Sequence, residues 1–227
     1  MTKGILYYTD NQLDSKLMKA CQEQLKKSAG DIPIVSISLK PIDFGKNYSL
    51  DLDRSPLTIF RQILVGLEFL KTDIVYLAEH DCLYDKSIFE FTPLNRNTFY
   101  YNENVYFLRL ADGHCLHYDA KQLSGLCAYR EPLIKHFKER IELIEKEGFS
   151  RRMGFEPMTH NRIDWKNKYK CEGFKSKVPY IDIKHDANLI RARWKKEEFR
   201  NQKFTKGWTE SDINNIVGWD NLGQVME

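Results

Sequence analysis

Apolar residues recur along this chain with two periods, and the first ninety positions alternate between them. Residues 4–8 and 74–78 are short, nearly unbroken apolar runs, the pattern of strands buried on both faces. Residues 32–39 set Ile34, Ser36 and Ser38 against Val35, Ile37 and Leu39, a period of two that also predicts a strand. Between the first two strands, Leu13, Leu17, Cys21 and Leu25 recur every fourth residue ahead of Gly30, the stripe of an amphipathic helix with a glycine stop. Thr9-Asp10-Asn11 suits the turn and the start of that helix. Ser55-Pro56 opens a second helix carrying Ile59, Phe60, Ile63, Leu64, Leu67 and Leu70. The order is β-α-β-α-β, and residues 42–48 read as loop. If the strands are parallel, their exits at Thr9-Asp10-Asn11, Lys40-Pro41 and Glu79-His80-Asp81 line one crevice.

The second half is more aromatic. Residues 98–102 and 105–109, separated by Glu103-Asn104, have the pattern of a hairpin, and 113–118 with 123–129 predict further extended segments. A helix runs from Pro132 through Leu133, Ile134, Phe137, Ile141 and Ile144 to Gly148, and residues 148–162 read as irregular. Residues 178–183 predict a last strand, placed to enter the same sheet as 74–78. The whole reads as one α/β domain over 1–227: a Rossmann-like amino-terminal half over 1–90, a mixed-sheet half over 91–190, and a polar extension over 191–227.

Composition narrows the partners more than the fold. With 227 residues, 42% hydrophobic and 30% charged, the chain has the make-up of an ordinary globule, and a formal charge of +3 admits an anionic ligand without declaring a nucleic-acid binder. Five cysteines without a Cys-x-x-Cys pair, and no apolar leader or span, point to a cytoplasmic protein with free thiols.

The chemistry concentrates at Glu79-His80-Asp81. Alternation along extended backbone sends Glu79 and Asp81 to one side, where two carboxylates can hold a divalent cation, and His80 to the other. His185, just past the last strand, offers a distant imidazole to the same ion, a ligand that manganese tolerates. Lys40, Lys46, Arg54 and Arg61, around the second exit and the helix after it, are cations suited to a phosphate, Lys40 and Arg61 first among them. Glu156, between Phe155 and Pro157, is a carboxylate whose apolar neighbours suit a general base. Each has a plainer reading, as turn former, surface charge or loop closure. No P-loop, Gly-x-Gly-x-x-Gly or zinc spacing is present.

The order of elements and three short motifs resemble the GT-A fold glycosyltransferases. Glu79-His80-Asp81 looks like a variant of that family's Asp-x-Asp signature. The run Leu-x-Glu-His-Asp-x-Leu-Tyr at 77–84, Phe-Glu-Pro at 155–157, and Ile-Asp-Ile-x-His at 181–185 followed by Asn188 are similar to motifs of small bacterial and phage members. The resemblance spans residues 4–188. It implies a nucleoside-diphosphate sugar donor and Mn2+ or Mg2+ held by Asp81 and His185. Glu79 then serves as a ligand or a sugar contact, Thr9, Asp10 and Asn11 as nucleotide contacts, and Glu156 as base. The acceptor it leaves open is a glycan or a nucleic-acid base.

Two other readings compete. A nucleotidyltransferase or metal phosphohydrolase also places carboxylates at strand ends, though usually more of them. A nucleic-acid-binding module would use residues 191–206, where Trp194, Phe199 and Phe204 interleave with basic residues.

Overall fold

The computed structural model describes residues 1–160, 163–189, 191–220 and 222–225. A seven-stranded sheet forms its centre, built from β1 (Lys3–Thr9), β2 (Ile34–Ser38), β3 (Lys46–Ser49), β4 (Ile74–Glu79), β6 (Thr98–Asn102), β9 (Leu126–Tyr129) and β10 (Lys170–Phe174) in the order β10-β6-β9-β4-β1-β2-β3. β3, β2, β1 and β4 run parallel, and β9 is antiparallel to both of its neighbours. A second sheet takes β5 (Cys82–Leu83), β7 (Val105–Arg109), β8 (His114–His117), β11 (Tyr180–Lys184) and β12 (Thr209–Asp212) in the order β12-β8-β7-β11-β5. Among the described residues the α-helices are α1 (Ser15–Ala29), α2 (Pro56–Phe69), α3 (Ser87–Glu90), α4 (Arg130–Glu147) and α5 (Leu222–Val225). Among the described residues no helix is long and apolar enough to cross a membrane.

Alternation along the central strands divides the core in two. Leu6, Tyr8, Val75 and Leu77 face α2 and α4, packing on Phe60, Ile63, Leu67, Leu133 and Phe137. Ile5, Tyr7, Ile74, Tyr76 and Ala78 face the other way, toward Leu25 and Ala29 of α1 and Val105, Phe107 and Tyr180 of the second sheet. Side chains of this size, fully buried, stabilise the fold by about 1.5–3 kcal/mol each. The second sheet is itself covered on its far side by Leu13, by Leu17 and Cys21 of α1, and by Ile216, Trp219 and Leu222. The buried stripe of α1 thus divides along its length, Leu17 and Cys21 joining this cluster and Leu25 and Ala29 the other, while Lys19, Glu23 and Lys27 stay exposed.

Both long early helices start and stop where their termini demand. Asp14 caps α1 by accepting from the amides of Lys16 and Leu17, and Ser55 caps α2 by accepting from Thr58. The cap of α1 lies beyond Thr9-Asp10-Asn11, so those three residues stay out of the helix. Asn11 sits at φ +59°, and its side-chain oxygen accepts from the amides of Leu39 and Lys40, each at 2.9 Å. It clips the end of β1 to the end of β2.

Three expectations are corrected. Residues 46–49 are an edge strand rather than loop, because the Asn47 side chain bonds Ser36 and Ser38 and holds this polar segment against β2. The 98–109 region is no hairpin: β6 and β7 lie in different sheets. Asn102 is fully buried and bonds the Asn104 amide and Ser176, while Glu103 and Asn104 pair with Phe174 and Tyr180. Those bonds leave the two strands no edge to share. The strand after residue 178 enters the second sheet, parallel to β7 and antiparallel to β5, rather than the sheet of β4.

The carboxyl-terminal segment is part of this framework. β12 pairs antiparallel with β8, and the Trp219 indole donates to Pro179 O at 2.7 Å.

Helix α2 comes close to the sheet at Gly66, where a Cβ would stand 2.0 Å from Leu6 Cδ1 and 3.0 Å from Ile37 Cγ1. Leu6 and Ile37 are fully buried and have no room to yield. Gly66→Val is expected to lower unfolding free energy by about 1–3 kcal/mol through overpacking, in spite of the better helix propensity. Urea denaturation followed by circular dichroism measures it, and a midpoint unchanged from the native chain would contradict this packing.

Candidate metal and nucleotide site

The strand register dictates which side chains meet. β1 and β4 are parallel with Tyr8 opposite Glu79, so the residues that follow, Thr9 and His80, leave the sheet side by side. The Tyr8 hydroxyl donates to Glu79 Oε1 at 2.6 Å, and Thr9 Oγ1 lies 2.6 Å from His80 Nδ1. Beyond Glu79 the chain turns at His80-Asp81 and starts β5 in the other sheet. There the Ile183 amide donates to Asp81 O at 2.8 Å, tying the turn to β11. That bond brings the loop after β11 to Asp81.

His185 Nε2 stands 3.3 Å from Asp81 Oδ2, and Asn188 Nδ2 donates to the same oxygen at 2.8 Å. The donor atoms of His80, Asp81 and His185 all lie within 4.8 Å of one another, and those of Glu79, Asp81 and Cys82 form an overlapping group of the same span. His80 thus turns toward Asp81 rather than away. The alternation that assigned it to the opposite side holds only for extended backbone, and here the backbone is a turn. On the neighbouring exit, Asp10 Oδ1 approaches His80 Nδ1 at 3.6 Å, while its other oxygen accepts from Arg54. Arg54 also donates to Ala187 O, so one guanidinium bridges the β1 exit and the 185–188 loop.

Burial sets the charges. Burial works to push the Asp81 carboxyl up, but the His185 hydrogen bond and the charges of His80 and Lys184 outweigh it and hold the group well below the usual carboxylate range. Glu79 goes the other way: burial first, then the negative charge of Asp81, pushes its carboxyl up to about 8 against the Tyr8 hydrogen bond. Two carboxyl groups this close keep one charge between them, and Asp81 carries it. Lys184, paired with Asp182 Oδ2 at 2.6 Å, is opposed by burial but held above its ordinary value by Asp182 and Asp81. Gln122 donates to the same Asp182 oxygen at 3.0 Å.

The structure therefore gathers Thr9, Asp10, Glu79, Asp81 and His185, adds His80, Arg54 and Asn188, and leaves others aside. Asn11 is engaged by backbone amides. Lys40 joins through its backbone, its amide donating to Asn11 Oδ1 and its carbonyl accepting from Asn11 Nδ2, and the residue is exposed. Arg61 pairs with Glu145 of α4 at 2.8 Å, so it belongs to the contact between the two helices and not to the crevice. Glu156 lies on the segment after the turn at 151–154, half-buried, with Tyr101 bonding Pro157 O at 2.6 Å beside it. Burial raises its pKa, with the charges of Arg140 and Lys184 opposing. The Lys184 ammonium thus acts on both Glu156 and Asp81. For Asn188 the usable signal was its place in the 181–188 motif. Arg54 was legible as one of the cations around the second exit, and its bridge to Ala187 O was not.

Two imidazoles and one carboxylate are a coherent donor set for a divalent transition ion, with positions left open for a ligand's oxygens. The donor chemistry fits manganese better than magnesium, which prefers oxygen throughout.

The charge partition has a measurable consequence for metal-free protein. In the unfolded chain Glu79 ionises near pH 4.5, whereas in the folded chain it keeps its proton to about 8. Between those values the folded state binds the extra proton, so this group's effect on stability falls as pH rises. In the presence of chelator the melting temperature is expected to fall from pH 5 to pH 8, and Glu79→Gln should remove much of that slope. An identical slope in the variant would show that Glu79 does not carry the proton.

No family model matches the chain, and no curated protein matches it in sequence. Solved structures do match in shape. One is the crystal structure of a glycosyltransferase involved in the glycosylation of the major capsid of PBCV-1, at 9% identity over 80% of this chain and 93% of that one, with a TM-score of 0.50. Residues 1–349 of TarS from S. aureus match at 11% identity over 81% of this chain and 60% of that one, with a TM-score of 0.46. HddC from Yersinia pseudotuberculosis matches at 13% identity over 80% and 93%, with a TM-score of 0.44. At such identities the shared property is the path of the backbone, and in that sense the chain has the GT-A glycosyltransferase fold.

Proposed function

We propose that the protein is a metal-dependent glycosyltransferase that moves a sugar from a nucleoside-diphosphate sugar to an acceptor hydroxyl. The observation that carries this reading is the convergence of His80, Asp81 and His185 at the strand exits of a GT-A-type fold, where ligands of open α/β sheets bind. A bound divalent cation would neutralise negative charge on the departing diphosphate. Asp81, His80 and His185 would hold it, with Asn188 orienting Asp81 and His185. Asp10 and Thr9, beside His80 on the β1 exit, are placed to meet the nucleoside, and Arg54 to hold the 185–188 loop over it. Glu79, protonated at neutral pH, has a donor to offer a sugar hydroxyl in place of a charge for the metal.

The chemistry asked of the protein is small. The acceptor oxygen attacks the anomeric carbon, the bond from that carbon to the diphosphate oxygen breaks, and the hydroxyl proton passes to Glu156. A carboxylate whose pKa is raised by burial is suited to that transfer near neutral pH. This use of Glu156 corresponds to inversion at the anomeric carbon.

Thermal-shift measurements against UDP, GDP, CDP and their sugars, with and without Mn2+, test the donor and the metal together. A nucleotide is expected to raise the melting temperature only with the metal, and Mn2+ is expected to act at lower concentration than Mg2+. Asp81→Asn should abolish that stabilisation, and His80→Ala should weaken Mn2+ binding by about tenfold or more, the loss typical for a metal-site group. Metal-independent stabilisation, or full stabilisation in Asp81→Asn, would count against the reading. Once a transfer assay is in hand, Glu156→Gln should cut kcat by about 10²-fold or more, with nucleotide binding unchanged. Unaltered turnover would remove Glu156 from the base role.

A further inference from the structure

A cavity of about 420 Å³ opens where the site meets the carboxyl-terminal segment, lined by Arg151, Leu189, Arg191, Ala192, Arg193 and Glu198. Its position follows from the chain path. Leu189 is the next residue after Asn188, which bonds Asp81, and Arg151 begins the short turn that leads to Glu156. One wall therefore continues from the candidate metal ligands and the other from the candidate base. Three guanidinium groups share this space with a single carboxylate. Glu198 Oε2 accepts from the amides of Trp194 and Lys195 at 2.7 and 3.0 Å, and its charge offsets part of that of Arg191, so the cavity keeps a net positive charge. Arg193 is held in place by stacking on Phe199 at 5.0 Å, and Phe199 is buried against Tyr118 at 5.1 Å and Trp208 at 6.0 Å.

Guanidinium groups gathered in one concavity repel one another unless an anion joins them, and their planar forks match the oxygens of a phosphate. A fork held on an aromatic ring loses less freedom when it binds. The volume is that of a small-molecule site. Three arginines share one cavity and the chain's net charge is only +3, which favours a discrete anion over a polymer backbone although further exposed cations follow along 195–206. We propose that Arg151, Arg191 and Arg193 bind the phosphate of a small phosphorylated sugar or polyol, the acceptor class for the transfer reaction. This rests on the glycosyl-transfer reading, whose donor side is separately testable.

The test uses the full chain in chelator, with glycerol 3-phosphate and glycerol as paired probes in isothermal titration, and a twelve-nucleotide single-stranded DNA as a third. UDP with Mn2+ is titrated separately, in buffer without chelator, as the donor-side control. Glycerol 3-phosphate should bind and glycerol should not. The triple variant Arg151→Gln, Arg191→Gln, Arg193→Gln should weaken glycerol 3-phosphate binding by about tenfold or more while leaving UDP–Mn2+ affinity within about twofold. All three arginines are exposed, so the variant is expected to fold, and the three single variants, each weakening binding by a smaller factor, stand behind it. Absence of glycerol 3-phosphate binding by the native chain, equal binding of the two probes, or undiminished binding in the triple variant would overturn the proposal. So would arginine-dependent binding of the DNA tighter than that of glycerol 3-phosphate, which would assign the cavity to nucleic acid. Failure of UDP–Mn2+ to bind, with the phosphate results as expected, would strike the donor reading and leave the anion site standing.

Discussion

One backbone hydrogen bond organises the site: the Ile183 amide to the carbonyl of Asp81, at 2.8 Å. It stands where β4 ends in one sheet and β5 begins in the other, so the turn at His80-Asp81 belongs to both. Through that bond a distant stretch of chain, the loop after β11, is delivered to the exit of a strand laid down about a hundred residues earlier. Without the switch between sheets, His80 would continue the alternation of β4 and His185 would have no route to Asp81. The second sheet exists in large part to make this junction, and its own far face is covered by α1, Trp219 and Leu222.

The electrostatics follow from the same crowding. Glu79, Asp81 and Asp182 are brought into a poorly solvated region with Lys184, His80 and His185 around them. Such a group is tolerable only if charge is distributed, and it is: Asp81 keeps its negative charge because two imidazoles, an amide and an ammonium are nearby, and Glu79 retains a proton because Asp81 does not. Lys184 and Asp182 neutralise each other, with Gln122 on the same Asp182 oxygen. The arrangement favours a cation entering beside Asp81. It also separates the roles of two carboxyl groups that stand two positions apart in the chain.

Much of the amino-terminal architecture could be read directly from the residues. β1, α1, β2, α2 and β4 came out in order, because each has a period and a punctuation that local physics imposes: Asp14 and Ser55 as caps, Gly30 at positive φ, Pro56 in the first turn. The conflict came where a segment's partner lies far along the chain. Lys46–Ser49 has no apolar rhythm, and is a strand only because Asn47 bonds across to β2. The run around Glu103-Asn104 has the pattern of a hairpin, yet Asn102 and its neighbours are taken by Phe174, Ser176 and Tyr180, seventy residues on. A local pattern cannot reveal that its edge is already occupied.

The candidate site divides along the same line. The sequence alone determined that acidic residues and a histidine follow strand ends and that the chain is α/β, since these depend on residue type and nearby spacing; it paired Asp81 with His185 only through the resemblance and through each residue following a strand. Only the tertiary structure decided that His80 joins them and that Arg61 stays with Glu145. It also decided that Arg54 bridges two loops and that Asn11 serves the backbone. Those outcomes depend on where a turn interrupts an extended strand and on which distant segment packs against it, and neither is written in any single stretch of the chain.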